Sequence, residues 1–337
     1  MLRRHLLAVA ALLSLALPAA VQAQGELIVT KQGFEIPSFT TRAGATVPNL
    51  RIGYQTAGTL NAAGDNAVLI AHFFSGNSHA FGRYGAGQTA GYWDAIIGPG
   101  KPIDTDRYFV VSADTPVNLN TGDRNTITTG PATVNPATGR PWGLTFPVLS
   151  MRDFVETQKA LLDHLGVRRL ALVAGASMGA LQTIEWAVAY PDMVARAMPV
   201  IGTDRVDAWI IGWLDIWAAP IRLDPNWNGG DYYGGPAPVA GLAEALKIVT
   251  HHARDWPWAE TIGVKPAEGQ DPRRSVTERF AIEKWLDDAA TARGVETGFQ
   301  FHPVDAHSFH EAVRRVNSLA RLSSRSPKSH PTIVSLP

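Results

Sequence analysis

The chain has 337 residues, of which 45% are hydrophobic, and its 30 lysines and arginines balance its 30 aspartates and glutamates. A chain of this length suits one large α/β domain that carries an insertion. The balanced charge gives no reason to expect a nucleic acid or an anionic membrane surface as a partner. The sequence has no cysteine, which excludes disulfides, thiolate nucleophiles and zinc–thiolate sites.

The first residues of the chain are typical of an export signal. Arg3 and Arg4 form a basic start, an apolar run follows at 6–17, and small residues lead up to Ala23. The run is too short for a membrane span, which needs about 20 apolar residues. We therefore interpret residues 1–23 as a signal peptide that is cleaved after Ala23. The mature protein is expected to be periplasmic or secreted, without a stable membrane span.

The mature chain alternates between strand and helix patterns. Residues 26–60 alternate apolar and polar side chains, which predicts leading antiparallel strands. Further strands are predicted at 67–71, 108–112, 170–174 and 197–201, and a helix is predicted at 152–165. Such alternation is typical of an α/β fold with a mostly parallel sheet and helices on both faces. We assign residues 24–202 to this core.

The composition changes after the core, where tryptophan becomes frequent. Trp209, Trp213 and Trp217 follow one another at a spacing of four residues, which places them on one stripe of a helix. We interpret residues 203–290 as a mostly helical lid inserted over the core. Packing inside the lid is the favoured role of the tryptophan stripe, and contact with a substrate is the alternative.

The strongest functional signal is the sequence Gly-Ala-Ser-Met-Gly at 175–179, between an apolar run and a helical pattern. This order resembles the nucleophile elbow of the α/β-hydrolases, a sharp turn between strand and helix with Ser177 at its apex. The strained apex requires small residues two positions away on each side, and both are glycine. A glycine-rich turn that leads into an ordinary helix is the alternative interpretation.

A serine nucleophile also needs a base and two N–H donors for the oxyanion. The first predicted donor is the backbone N–H of Met178, at the start of the helix. The second usually comes from the loop after the third strand, where we predict the backbone N–H of Phe74. His72 and His79 lie in the same loop, and we expect them to hydrogen-bond the turn rather than to take part in the chemistry.

Further segments keep their order and approximate spacing in a known family. They are Tyr-Trp-Asp at 92–94, Ile-Gly-Pro-Gly at 97–100, Ile-Asp-Thr-Asp-Arg-Tyr-Phe at 103–109, Asn-Pro-Ala-Thr-Gly at 135–139, Phe-Pro at 146–147, Glu-Trp-Ala at 185–187, Tyr-Pro-Asp at 190–192 and Asp-Pro-Asn-Trp-Asn-Gly-Gly-Asp-Tyr-Tyr-Gly-Gly at 224–235. From about residue 34 to about 250 the chain thus resembles the homoserine O-acetyltransferases. The resemblance implies an α/β-hydrolase fold with a helical lid and an acyl-serine intermediate at Ser177. It also implies oxyanion donors at Phe74 and Met178.

Two departures from that family bear on the substrate. The resemblance implies a lid arginine that holds the substrate carboxylate, whereas this chain has Leu246 there, and Lys247 faces another direction on a helix. Homoserine is therefore not the expected acceptor. An exported protein is also separated from cytoplasmic acetyl-CoA, so we expect a small-molecule ester or other acyl donor as partner and water as acceptor. The sequence leaves a homodimer open.

A third departure concerns the acid and the base, which the resemblance places on loops after late strands. No such segment is recognisable here, and the sequence changes character after Gly294. We expect residues 291–337 to form an atypical, disordered tail, and the last strands of the fold to be missing or altered. His251 and His252 diverge on a helix, so that no metal site is expected, and no cofactor is predicted.

Two interpretations of the missing acid and base stay open. In one, a relocated base and its carboxylate come from the residues His307, His310, Asp287, Asp288 and Asp305. In the other, the chain is a catalytically impaired or truncated homologue that retains only ligand binding. The predicted function is an exported serine esterase or O-acyltransferase that works through acyl-Ser177.

Overall fold

The computed structural model describes residues 26–204 and 206–292. Its strands are β1 (Gln32–Thr40), β2 (Thr46–Ala57), β3 (Ala67–Ala71), β4 (Ile97–Gly98), β5 (Ile103–Asp104), β6 (Phe109–Ala113), β7 (Val134–Asn135), β8 (Arg140–Pro141), β9 (Leu170–Ala176) and β10 (Ala197–Val200). Its helices are α1 (Met151–His164), α2 (Met178–Ala189), α3 (Ala208–Leu223), α4 (Val239–His252), α5 (Trp256–Ile262) and α6 (Ala281–Ala292), with 3-10 turns at Gly143–Thr145 and Pro225–Gly230. The predicted signal peptide and all of the predicted tail beyond the end of α6 lie outside the described residues.

Six strands form one sheet in the order β1-β2-β6-β3-β9-β10. β2 pairs antiparallel with β1 and with β6, whereas the other neighbours are parallel. The predicted leading antiparallel strands and the mostly parallel sheet are confirmed. β10 lies at one end of the order, and among the described strands it pairs only with β9.

The observed element ends differ from the predicted ones by one or two residues. The helix predicted at 152–165 begins one residue earlier because Ser150 is its N-cap, in a capping box with Asp153. The helix ends before Gly166, whose φ of 80° suits glycine.

The sheet separates two apolar clusters. Neighbouring residues on β3 point to opposite faces, so that Leu69 belongs to the first cluster and Val68 to the second. Buried side chains of α1 and α2, including Trp186, belong to the first cluster. The second cluster is completed by Phe81 and Ile97 from the connection between β3 and β6. This connection is rich in glycine and proline, so among the described residues it covers the second face with loops and short strands rather than with a helix.

The helices after β10 pack on one another, and buried residues of α3 and α4 belong to the first apolar cluster. α3 packs against α4, and α4 packs against α6. One ion pair joins the last two, since Asp287 on α6 contacts Lys247 on α4. Asp287 also lies 2.6 Å from Nη1 of Arg279, just before α6. None of the helices in the described part combines the length and apolar character that a membrane span needs. The division of the chain into core and lid stays a prediction.

Candidate active site

Ser177 lies at the turn between β9 and α2. Its φ of 54° and ψ of −120° are outside the regions that a non-glycine residue usually adopts. Its N–H donates to the carbonyl oxygen of Val200 on β10 at 3.0 Å, which attaches the turn to the sheet. Ser177 is exposed, and its hydroxyl does not cap the helix. The structure therefore presents this hydroxyl at the N-terminus of a helix, although its role as nucleophile stays a prediction.

The two glycines that flank Ser177 allow three elements to meet. A Cβ atom on Gly179 would lie 2.2 Å from the carbonyl oxygen of Ala71, the last residue of β3. A Cβ atom on Gly175 would lie 2.4 Å from the carbonyl oxygen of Gly179. Glycine is thus required here by the close approach of β3, β9 and α2, in addition to the strain of the turn.

The two predicted oxyanion donors lie on the elements that meet at this point. Met178 is the first residue of α2, so its N–H has no acceptor inside the helix. Phe74 belongs to the loop after β3, and this loop is attached to α2 where Gln182 Nε2 donates to the carbonyl oxygen of His72 at 3.2 Å. The helix dipole adds positive potential near Ser177. The arrangement suits an anion, and the donor roles of both residues stay predictions.

His72 is buried and shapes the loop that carries Phe74. Its Nδ1 lies 2.8 Å from the carbonyl oxygen of Phe73, and the N–H of Thr115 donates to its Nε2 at 3.1 Å. Because Nε2 accepts a hydrogen bond, it carries no proton, and Nδ1 must be the donor to Phe73. Burial lowers the pKa of His72 and so favours this neutral form. His72 therefore hydrogen-bonds the turn, as expected from the sequence.

Two asparagines and a buried ion pair also hold this loop, and they were not predicted from the sequence. Asn118 Nδ2 and Asn120 Nδ2 donate to the carbonyl oxygen of Gly76 at 3.0 and 3.1 Å. The N–H of Ser78 donates to Asp114 Oδ1 at 2.7 Å. Lys31, from the segment before β1, lies with its Nζ 2.6 Å from Asp114 Oδ2. These contacts come from distant parts of the chain, so local patterns do not reveal them.

His79 lies in the same loop but is occupied by structural contacts. Its Nδ1 is 3.2 Å from Gln55 Oε1, its Nε2 is 3.0 Å from the carbonyl oxygen of Thr89, and its ring stacks on Tyr84 at 4.3 Å. Burial lowers the pKa of His79. Both ring nitrogens face protein oxygens, so this histidine is not placed to serve Ser177.

No histidine of the described ranges makes a hydrogen bond to Ser177. Trp217 Nε1 donates to His252 Nδ1 at 3.0 Å, so this nitrogen is not available as a base. His251 is exposed on α4, and its ring centroid lies 6.5 Å from that of His252. No group of His, Asp and Glu side chains in the same residues is arranged to hold a metal ion.

The carboxylates proposed to support a relocated base have cationic partners on the helices. Burial opposes ionisation of Asp287, but hydrogen bonds from Lys247 and Arg279 outweigh it and lower the pKa of this carboxyl. Asp288 Oδ2 lies 2.8 Å from Lys284 Nζ one turn away. The other candidates, His307, His310 and Asp305, lie outside the described residues.

The position of the lid arginine implied by the resemblance is apolar and enclosed. Leu246 on α4 is only 2% exposed and belongs to the first apolar cluster. The neighbouring Lys247 contacts Glu244 and Asp287 instead. No cation therefore takes the place of that guanidinium at this turn of α4.

We expect His72 to make the protein less stable in mild acid. The unfolded chain binds a proton at the ordinary histidine pKa of 6.5, whereas the folded protein binds it only at lower pH. The free energy of unfolding therefore falls as the pH drops below 6.5, by up to about 1.4 kcal/mol per pH unit until the folded pKa is reached. Urea unfolding between pH 7.5 and 5 measures this slope.

His72→Gln keeps one donor and one acceptor but does not titrate, so its slope should be smaller than that of the natural protein. His251→Gln, at an exposed histidine, should leave the slope unchanged. Equal slopes for the natural protein and His72→Gln would contradict the assignment of a neutral, buried His72.

A serine at a strained strand-to-helix turn, on a mostly parallel sheet with helical packing, defines a protein of the α/β-hydrolase fold. No protein-family model matches the chain. A homoserine O-acetyltransferase of Solidesulfovibrio magneticus is 47% identical over 210 residues, which are 62% of this chain and 51% of the relative. The chain spans about half the length of the curated relatives it matches at this level.

Solved structures agree with the sequence relatives. The crystal structure of esterase E22 matches with a TM-score of 0.79 at 45% identity, over 86% of this chain and 78% of that one. Homoserine O-acetyltransferase from Bacillus anthracis matches with a TM-score of 0.78 at 35% identity, over 86% of this chain and 76% of that one. The chain belongs to the homoserine O-acetyltransferase family of α/β-hydrolases, as the resemblance predicted.

Proposed function

We propose that this protein is an ester hydrolase that works through an acyl ester on Ser177. The observation that carries the proposal is the turn geometry of Ser177, with an exposed hydroxyl at the N-terminus of α2. Such a turn presents a hydroxyl where helix N–H groups stabilise a developing negative charge. A serine in the interior of a helix or strand does not lie beside such unpaired helix N–H groups.

The reaction has two steps. Ser177 Oγ attacks the ester carbonyl, loses its proton to a base, and the carbon–oxygen bond of the ester breaks so that the alcohol leaves with a proton. Water then attacks the acyl-serine, and the acid leaves while Ser177 regains its proton. In both steps the backbone N–H groups of Met178 and Phe74 would hold the oxyanion. His307 and His310 stay the candidates for the base.

Water is proposed as the acceptor because Leu246 stands where the resemblance implies an arginine that holds the substrate carboxylate. An enclosed Leu246 offers no charge to a substrate carboxylate, and an apolar side chain cannot replace a bidentate guanidinium. A protein named an esterase is 45% identical, beside homoserine O-acetyltransferases at 47% and 35%, so the preference for hydrolysis rests on Leu246 and not on the identities. We further propose that residues 1–23 direct export, so that the enzyme acts in the periplasm or outside the cell.

Labelling with a fluorophosphonate tests the proposal. An active Ser177 forms an oxygen–phosphorus bond and expels fluoride, so the intact mass should rise by one probe. The same mass spectrum reports whether the exported protein begins at Gln24, as cleavage after Ala23 requires. Ser177→Ala should remain unlabelled, whereas Ser275→Ala, at a half-buried serine between α5 and α6, should be labelled like the natural protein.

A different outcome would favour the alternative, a homologue that retains only ligand binding. That outcome is a protein that unfolds cooperatively on heating but whose Ser177 is not labelled. The alternative has one observation in its favour, because among the described residues Ser177 has no histidine partner.

A further inference from the structure

A row of π faces extends from the loop beside Ser177 along α3 and α4. It consists of Phe74, Trp217, His252, Trp213 and Trp209, and we call these five residues the aromatic row. The ring centroids of Phe74 and Trp217 are 6.0 Å apart. The ring of His252 stacks on Trp213 at 4.5 Å, and Trp213 lies 6.5 Å from Trp209. The row therefore connects a predicted oxyanion loop with the outer surface of α3.

The outer end of the row is not packed inside the protein. Trp209 is 72% exposed, and the rings of Trp213, Trp217 and His252 are half-buried. This differs from the expectation that the tryptophan stripe packs inside the lid. A set of large aromatic side chains that are exposed or half-buried, and that reach the loop carrying the predicted oxyanion donor Phe74, is typical of a surface that binds a ligand.

The row is uncharged at neutral pH. Because Trp217 donates to Nδ1 of His252, the proton of this imidazole is on Nε2. Burial, together with the neighbouring His251, lowers the pKa of His252, which keeps the ring neutral. A neutral row has no charge with which to hold a carboxylate. The chemistry that it recognises is therefore apolar or weakly polar.

The ring angles favour a flat ligand. Successive rings are tilted by 40° for Trp209–Trp213, 22° for Trp213–His252 and 47° for Phe74–Trp217. Rings that are tilted and offset by these amounts let another aromatic ring pack in an offset or tilted contact. An enclosing cage for a quaternary ammonium group would need aromatic walls on several sides of the cation.

We propose that the aromatic row binds an aryl group of the ester substrate, so that the protein prefers aryl-bearing esters to saturated ones of the same size. This inference rests on the proposed function and names its substrate class. The aryl group can belong to the alcohol or to the acyl part of the ester, and the experiment separates these two sources.

Steady-state kinetics of the full chain test the preference with matched pairs of esters. Benzyl acetate is compared with cyclohexylmethyl acetate for the alcohol side, and ethyl phenylacetate with ethyl cyclohexylacetate for the acyl side. In at least one pair kcat/KM should be roughly threefold to tenfold higher for the aryl ester. Trp213→Leu should remove the preference, and Trp256→Leu, an exposed tryptophan outside the row, should keep it.

Binding to Ser177→Ala protein tests the same inference without turnover. Benzyl alcohol and phenylacetate esters should bind roughly threefold to tenfold more tightly than their cyclohexyl analogues, as a change in tryptophan fluorescence reports. Trp213→Leu should abolish this difference as well. Choline is included as a cationic probe and should bind no more tightly than cyclohexylmethanol.

The outcomes separate the two proposals. An unlabelled Ser177 with a retained aryl preference in binding would overturn hydrolysis and leave the aromatic row as a ligand site. Equal binding of aryl and cyclohexyl ligands, or a preference that survives Trp213→Leu, would overturn the role of the row. Tighter binding of choline would show that the aromatic row recognises a cation rather than an aryl group, and would likewise overturn the proposed role of the row.

Discussion

Replacing Gly179 by alanine is expected to destabilise the protein by about 3 kcal/mol and to suppress labelling of Ser177. The new Cβ atom would lie 2.2 Å from the carbonyl oxygen of Ala71, and a backbone atom inside a sheet cannot move aside cheaply. The strain must then shift α2 away from β3, which displaces the turn that carries Ser177. Urea unfolding and the labelling rate measure the two effects.

The matched control is Gly212→Ala on α3. A Cβ atom on Gly212 has no atom within 4 Å, and the residue is exposed in the interior of a helix. Alanine should therefore stabilise the protein there by about 0.5–1 kcal/mol. A neutral or stabilising Gly179→Ala would contradict the close approach of β3 and α2.

Lys31→Met is expected to cost about 3–5 kcal/mol, because it leaves the carboxylate of Asp114 buried without its cation. Asp114 is 0% exposed, and the side chain of Lys31 is only 9% exposed. Asp114 also accepts hydrogen bonds from the N–H groups of Ser78 and Ile127, so its displacement disturbs the loop that carries Phe74. We therefore expect slower labelling of Ser177 along with the loss of stability.

Two further variants show whether the buried charge is the cause. Lys159→Met breaks an ion pair with Asp163 one turn away on α1, where Asp163 is exposed, and should cost no more than about 0.5 kcal/mol. Adding Asp114→Asn to Lys31→Met removes the unpaired charge and should recover part of the stability. A cost for Lys31→Met as small as that for Lys159→Met would disprove the burial of this pair.

The sequence predicted those parts of the site that depend on neighbours in the chain. The strand, the turn at Ser177 and the helix that follows form one continuous segment, and each has a local signature. The N-terminal position of Met178 follows from that segment. Leading antiparallel strands and short parallel strands were predicted for the same reason, since period and length are properties of a short window.

The parts that the sequence did not predict depend on contacts between distant segments. Lys31 and Asp114 meet because β1 pairs with β2 and β2 pairs with β6, which brings the start of β1 close to the end of β6. No local pattern around either residue indicates the other. Asn118 approaches Gly76 only after the connection between β3 and β6 has folded over the sheet. The exposure of Trp209 likewise depends on which face of α3 is covered by α4.

The position of Val200 has a consequence for the stability of the turn that carries Ser177. Strands at the margin of a sheet open more readily than those in its middle, because fewer neighbours hold them. The N–H of Ser177 donates to the final residue of β10, which lies at the end of the sheet formed by the described strands, so local opening of β10 would weaken the support of this serine. Pairing of another strand with β10, on the side away from β9, would conversely stabilise the turn that carries Ser177.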